Sequence, residues 1–494
     1  MPGNKQMNKF IFDFNEKSED YVTPVKTGII RPNHMVRQQP LGLPQVSEVS
    51  LVRHFTNLSR KNFGVDNGFY PLGSCTMKYN PKINEKIASL KDFTEPHPLM
   101  DEDLIQGHLE MLYEMEQFLK EISGMAGITF QPSAGAHGEI TGIILIKAFH
   151  NHHKDIDRKK IIVPDSSHGT NPATASIAGF EVVEIKSNPE GLVDLTELEK
   201  VLDDQVAALM LTNPNTLGLF EKHILKISKM VHDVGGLLYY DGANLNPLFG
   251  RVKIADMGFD VVHFNLHKSF STPHGGGGPG AGPVGVNKKI MSFLPVPLIK
   301  KKDDRYTFDY NVRHSIGKMR SFYGNFNVIL KSYFYILSLG LEGLRSVSEK
   351  AILNANYLKN QLSRLLELPY KNHCMHEFVL SGKTLNQWGL HTIDLAKRLI
   401  DYGYHPPTVY FPLIVDEAIM IEPTETESKE TLDTFARDLE RILKEAKSDP
   451  DKLKKAPHST PVGRLDEVTA ARQPIVTYDE YKDQLRTSNL EPRT

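Results

Sequence analysis

Between residues 127 and 285, short apolar runs alternate with longer stretches of helical periodicity. The runs are Gly127–Phe130, Ile161–Val163, Ala207–Leu211, Leu237–Tyr240 and Val261–Leu266. This alternation predicts a mainly parallel sheet with helices on both faces. In such a sheet, ligands bind beyond the carboxyl ends of the strands. Ser133, His168, Thr212, Asp241 and Lys268 each follow one of these apolar runs. Five chemistry-bearing residues on one sheet edge point to a single site.

Lys268 ends a buried run and is followed by Ser269, Ser271, Thr272, His274 and four consecutive glycines. Asp241 ends the preceding run, in Asp241-Gly242-Ala243. A lysine and a carboxylate on neighbouring strand ends are what pyridoxal phosphate requires. The amine forms the Schiff base, and the carboxylate keeps the pyridine nitrogen protonated so that the ring accepts electrons. Upstream, Ser133-Ala134-Gly135-Ala136 lead into a helix expected to begin near Gly138. Small residues at a helix start expose backbone N–H groups to an anion, so this turn reads as the phosphate cup. Ala243 is small enough to lie against the cofactor ring. Gly275, Gly277 and Gly280 match a dinucleotide fingerprint formally. Pro273 and His274 precede them, and Pro279 and Pro283 prevent the helix that fingerprint needs. A glycine-rich hairpin beside Lys268 is expected instead.

The run NLHKSFSTPHGGGGPGAGPVGV resembles the cofactor-lysine segment of the glycine cleavage system P-protein, the glycine dehydrogenase (decarboxylating). YPLGSCTMKYNPKIN, DSSHGTNPATA, YYDGANLN and YFPLIVDEAIMIEPTETESKETLD resemble that family in its order. The match covers nearly the whole chain and resembles the lysine-bearing half of the split form of the enzyme. The resemblance implies the aminotransferase-like fold (fold type I) and pyridoxal 5'-phosphate as cofactor. Lys268 would carry the Schiff base, Asp241 would face the ring nitrogen, and His168 would stack on the ring. Ser133, Ala134, Gly135, Ala136 and His267 would hold the phosphate, with Thr212 and Ala243 completing the pocket. The implied reaction is glycine decarboxylation with transfer of the aminomethyl group to the lipoyl group of the H-protein. The implied assembly is a tetramer of two copies each of subunit 1 and this chain. Within the fold, an aminotransferase, another amino-acid decarboxylase or a sulfur- or selenium-handling lyase is the alternative. A non-catalytic scaffold half is the other, and Lys268 stands against it.

Lysine and arginine number 58 against 60 acids, so nothing points to nucleic acid or an anionic membrane. No apolar run approaches the length of a membrane span. Cys75 and Cys374 are the only cysteines, too few for a disulfide framework or a four-thiolate metal site; no metal and a cytoplasmic location are expected. Residues 1–100 read as an arm followed by a loop-rich segment, with a short helix near Ser47–Leu58. Residues 63–82 read as a polar loop, and the resemblance implies that it lies near a substrate site, across a subunit boundary. Residues 101–325 read as the cofactor-binding domain, with a helix from Leu104 to Ile122 capped by Asp101 or Asp103. Thr170 or Asn171 is expected to cap the helix that follows His168. Residues 326–447 read as a smaller α+β domain, with Ser346 and Glu349 opening a second helix through a capping box. From residue 448 the chain reads as a tail without a core of its own.

Overall fold

The computed structural model describes residues 10–14, 33–35, 37–39, 42–274 and 280–488. The hairpin expected at Gly275–Pro279 and much of the N-terminal arm lie outside these residues. The chain forms two compact units. One comprises residues 65–463, and the other joins the segments 1–64 and 464–494.

In the larger unit, seven strands form one sheet: β1 (Gly127–Thr129), β2 (Lys160–Pro164), β3 (Glu181–Ile185), β4 (Val206–Leu211), β5 (Leu237–Gly242), β6 (Val261–Phe264) and β7 (Val284–Val286). Their order is β1-β7-β6-β5-β4-β2-β3. Only β7 runs antiparallel to its neighbours β1 and β6. The inner strands are largely apolar because both faces are covered, whereas the edge strand β3 carries Glu181 and Glu184 in exposed positions. Leu209, Leu211, Leu238, Tyr240, Val262 and Phe264 pack with the helices Gln106–Ser123 and Ile224–Asp233. Their neighbours Ala208, Met210, Leu237, Tyr239 and Val261 pack on the opposite face, against the helix Gly135–His152. Side chains that alternate between two buried faces give continuous apolar runs.

Strands β8 (Leu298–Lys302) and β9 (Arg305–Asp309) form an antiparallel ribbon. The helix Phe326–Leu362 then links the large sheet to a small domain. The capping box expected at Ser346 does not form. The helix runs through that position because Leu344, Val347 and Ala351 continue its buried stripe, and its one break falls at Gly340, at φ 58°. The small domain contains β10 (Phe378–Ser381), β11 (Thr408–Val409) and β12 (Ala418–Ile421), antiparallel in the order β10-β12-β11. The helices Thr392–Asp401 and Lys429–Ser448 cover this sheet, the latter capped by Ser428. The core does not end at residue 447. Leu453, in the short helix Pro450–Lys454, is buried in it because it presents an apolar side chain to the same cluster.

Two helix starts also differ from expectation. Asp101 caps only a single turn, Glu102–Leu104, and the long helix begins at Gln106. The helix after His168 begins at Thr170 behind Gly169, so neither Thr170 nor Asn171 caps it.

The second unit holds the helix Glu48–Ser59, capped by Ser47, which buries none of its residues. In the same unit Phe12 stacks on Tyr478 at 5.0 Å between ring centres, so the expected arm and tail pack on each other. No helix among the described residues is long and apolar enough to cross a membrane.

Candidate active site

The helix Gly135–His152 starts three residues earlier than expected, directly on the turn after β1. Ala134 precedes it with no side-chain cap, so its first N–H groups lack intrahelical acceptors and sit at the positive end of the dipole. The turn is fixed from several directions. The backbone N–H and Oγ of Ser133 both lie 3.2 Å from His137 Nδ1. The Asn325 side-chain amide donates to the carbonyl of Ser133 at 2.9 Å and also to that of Gly280. Gly282 N–H donates to the carbonyl of Pro132 at 3.1 Å. The backbones approach so closely here that a Cβ on Gly282 would lie 2.0 Å from the Ala134 carbonyl oxygen. Asn265 Oδ1, Thr212 Oγ1, His267 Nδ1 and Thr272 Oγ1 are buried with no protein partner. Burial, with the Lys268 charge second, pushes the His267 imidazole down to about 3. Orphaned polar atoms around an uncapped helix start suit a bound anion.

Asp241 lies at the end of β5, with 4% exposure. Asn171 Nδ2 donates to its Oδ2 at 3.1 Å, and Ala243 N–H donates to its Oδ1 at 3.1 Å. His263 Nε2 stands 3.4 Å from Oδ1, and the Tyr239 hydroxyl lies 2.6 Å from His263 Nδ1. Burial lowers the His263 pKa, so this ring is neutral. With Nδ1 engaged by the Tyr239 hydroxyl, Nε2 is the ring nitrogen nearer the carboxylate. Burial alone would raise Asp241. His263, the amide of Asn171, Lys268 and the Ala243 N–H outweigh it and hold the carboxyl below its usual range. Glu139 is buried nearby and accepts from Thr170 Oγ1 at 3.0 Å. Burial first, and Asp241 second, push it up to about 7. Of these two neighbouring acids, Asp241 keeps the charge and Glu139 tends to give it up.

Lys268 follows β6, and its Nζ donates to the carbonyl of Ser74 at 2.9 Å. The loop at 70–82 is therefore held over Lys268 by its own chain. Ser74 N–H donates to Glu377 at 2.7 Å, and Thr76 donates from both N–H and Oγ1 to Glu422 at 2.8 Å. Lys78 is fully buried. Its Nζ reaches Asn246 Oδ1 at 2.9 Å, the Ser269 carbonyl at 2.8 Å, the Tyr335 hydroxyl at 3.0 Å and Glu425 at 2.8 Å. Ser74 and Thr76 take left-handed backbone, at φ 64° and 53°. Such conformations cost about 1–3 kcal/mol each and persist only where the surroundings impose them.

His168 lies in the turn after β2, exposed at residue level, with Nδ1 2.9 Å from Thr170 Oγ1. Burial lowers its pKa, and the fields of Asp241 and Lys268 both reach it. The carboxyl ends of β1, β2, β4, β5 and β6 thus bring Ser133, His168, Thr212, Asp241 and Lys268 to one edge, with Ala243 and His267 beside them. Sequence reading missed Lys78, Glu139, Asn171, His263, Glu377 and Glu422. His263, Glu377 and Glu422 carried a local signal, as polar residues within or next to a strand, and Asn171 only that of a helix start.

Comparison with known proteins places this geometry in a family. A family model described as "Aminotransferase class-V" matches residues 141–277, and one described as "Glycine dehydrogenase, C-terminal domain" matches residues 347–458. A probable glycine dehydrogenase (decarboxylating) subunit 2 of Caldanaerobacter subterraneus is 59% identical over 481 residues, 96% of this chain and 99% of that protein. A Staphylococcus aureus protein of the same description is 57% identical over 449 residues, 91% of this chain and 92% of its own. Among solved structures, a glycine decarboxylase (P-protein) of the glycine cleavage system in inhibitor-bound form superposes with a TM-score of 0.70 at 19% identity, covering 83% of this chain and 93% of that one. A NifS-like protein superposes at 0.60 and 18% identity, covering 76% and 99%. At these identities the structural likenesses show the fold alone.

Proposed function

Because the chain belongs to the glycine dehydrogenase (decarboxylating) subunit 2 family, we propose that it decarboxylates glycine and passes the aminomethyl group to the lipoyl group of an H-protein. It is a pyridoxal-phosphate-dependent enzyme. The observation that carries the reading is the strand edge itself, where the charge of Lys268 reaches an ionised Asp241 and buried polar atoms of Thr212, Asn265 and His267 have no partner. The residues fit that cofactor. Lys268 would bear it, and Asp241 would face its ring nitrogen. His168 and Ala243 would bracket the ring. The N–H groups at Ser133–Ala136, with Thr212 and His267, would take the phosphate.

When bound, the cofactor supplies an electron sink for the charge left on the glycine carbon as CO2 departs. The chain's own residues set the conditions. Asp241 keeps its charge through Asn171, His263 and the Ala243 N–H, so it would hold a proton on the ring nitrogen of the bound cofactor. Glu139, biased toward its neutral form, adds little competing charge. The loop at 70–82 reaches Lys268 through the Ser74 carbonyl and leaves the amine half-buried.

The relatives are named as subunit 2. We read this chain as the lysine-bearing member of a cytoplasmic tetramer with two copies of a homologous subunit 1. The helix Glu48–Ser59 supports this reading, because it leaves Val52 and Phe55 more than half exposed.

The test is borohydride reduction of the loaded chain with peptide mapping, alongside exchange of labelled bicarbonate into glycine. The pyridoxyl group should map to Lys268, and exchange should be weak alone and restored by subunit 1. Labelling at another lysine would refute the site. Full activity alone, unchanged by subunit 1, would refute the split-subunit reading.

A further inference from the structure

Asn325 directly precedes the helix Phe326–Leu362, where an asparagine side chain ordinarily caps the helix. Here it makes no capping bond. Its amide is turned to the start of another helix instead, and donates to the carbonyls of Ser133 and Gly280. Arg320 fixes that amide, because its Nη1 donates to Asn325 Oδ1. With the oxygen taken up by a guanidinium, the two amide hydrogens are left for the two carbonyls. Arg320 is half-buried, and among the described residues it forms no other hydrogen bond and no ion pair. Nothing in the chemistry above uses it.

We propose that Arg320 is a positioning residue for the cofactor phosphate, acting through Asn325 to set the backbone of the cup and placing a permanent positive charge beside it. The inference rests on the reading that Ser133–Ala136 take that phosphate. No covalent bond is made or broken.

The backbone supplies the first reason. In a trans peptide the N–H points opposite to the carbonyl. The bond from Asn325 to the Ser133 carbonyl therefore turns the Ala134 N–H away from Asn325, and among the described residues no backbone carbonyl accepts from it. The stretch that carries Arg320 is fixed to the same turn. Met319 N–H donates at 2.9 Å to Oε1 of the buried Gln131, two residues before Ser133.

Charge supplies the second. A helix start offers about half an elementary charge, whereas a phosphate ester carries about 1.5 to 2 negative charges near neutral pH. A guanidinium adds a full positive charge that pH does not remove. The field of Arg320 reaches the cup. Second to burial, it lowers the pKa of His137, whose Nδ1 lies 3.2 Å from both the N–H and the Oγ of Ser133. With no carboxylate paired to it among the described residues, that charge is available to an anion.

The experiment compares two ligands on the cofactor-free, full-length chain. They are pyridoxal phosphate and pyridoxal, which has the same ring and aldehyde but no phosphate. Absorbance of the bound chromophore gives both affinities. R320Q should bind pyridoxal phosphate about tenfold more weakly and pyridoxal within about twofold of the wild type. R320K keeps the charge without the planar fork, so its loss should be smaller and again confined to the phosphorylated ligand. Unchanged affinity for pyridoxal phosphate in R320Q, or equal weakening of the two ligands, overturns the proposal. If R320Q fails to fold, the same comparison on R320K decides. Borohydride labelling at Lys268 in an R320Q chain of unchanged affinity would defeat this inference alone, whereas labelling elsewhere would defeat the cofactor assignment beneath it.

Discussion

Lys268 Nζ donates to the carbonyl of Ser74 at 2.9 Å, across 194 residues of sequence. The strand end that carries the amine and the loop that covers it are thus joined by a hydrogen bond. The loop is joined in turn to the small domain, through Glu377, Glu422 and Glu425. The same acids also bond directly to the large domain, Glu422 accepting from Asn244 and Glu425 from Asn246.

Asp241→Asn should retain the cofactor and lose the reaction. A neutral amide no longer favours a proton on the ring nitrogen. A loss of several kcal/mol in the transition state is roughly a thousandfold or more in rate. Cofactor content by absorbance and bicarbonate exchange measure the two separately. Near-normal exchange in this variant would rule out the assigned role.

Lys78→Met should destabilise the fold. It leaves Glu425 buried without its cation, a change that costs about 3–5 kcal/mol. It also removes the donor to the Ser269 carbonyl, next to Lys268. Urea unfolding measures the first effect, and the absorbance of the bound cofactor reports the second. A stability change within about 1 kcal/mol, the range of an exposed pair, would mean that the clamp does not form.

Glu139 predicts a pH dependence. Its carboxyl is raised from 4.5 to about 7 in the fold, so the fold favours the neutral form. The stability this contributes is complete below the unfolded value and is lost as pH rises through the folded one. Glu139→Gln should flatten the stability profile between pH 4.5 and 7, and at pH 8 the variant should melt higher relative to the wild type than at pH 5. Parallel melting curves for the two proteins across this window would show that Glu139 is ionised throughout.

Val52→Glu with Phe55→Glu should weaken association with subunit 1 and leave cofactor absorbance intact. Both side chains are exposed on a helix that buries nothing, so the substitutions cost little in the isolated chain. Sizing of the mixture is the measurement. Unchanged assembly would mean that this helix faces solvent in the complex.

The sheet was legible because its signal is local. The inner strands β4, β5 and β6 each open on an apolar run, and the residue that follows the run lies on the binding edge whatever the rest of the chain does. Asp241 and Lys268 could be placed on that basis. The support around them could not. Asn171 looks like a helix cap, yet its amide points to Asp241, 70 residues away. Lys78 sits in a loop that reads as a polar connection, and its carboxylate partner comes 347 residues later. Ser346 and Glu349 have the spacing of a capping box, but the buried stripe of the long helix overrides it. Local patterns report which elements form, whereas partnerships across domains depend on a packing that no window of sequence contains.

The order of synthesis on the ribosome gives the loop at 70–82 a further meaning. It emerges first, Asp241 and Lys268 follow, and Glu377, Glu422 and Glu425 come last. A nascent chain that has completed the large sheet already carries the amine and the ring-facing carboxylate, but none of the acids that seat the cover over them. The latest-made part of the pocket is the part that anchors its cover. A polypeptide terminated before Glu422 would carry a reactive lysine beneath a cover lacking its anchors at Glu422 and Glu425.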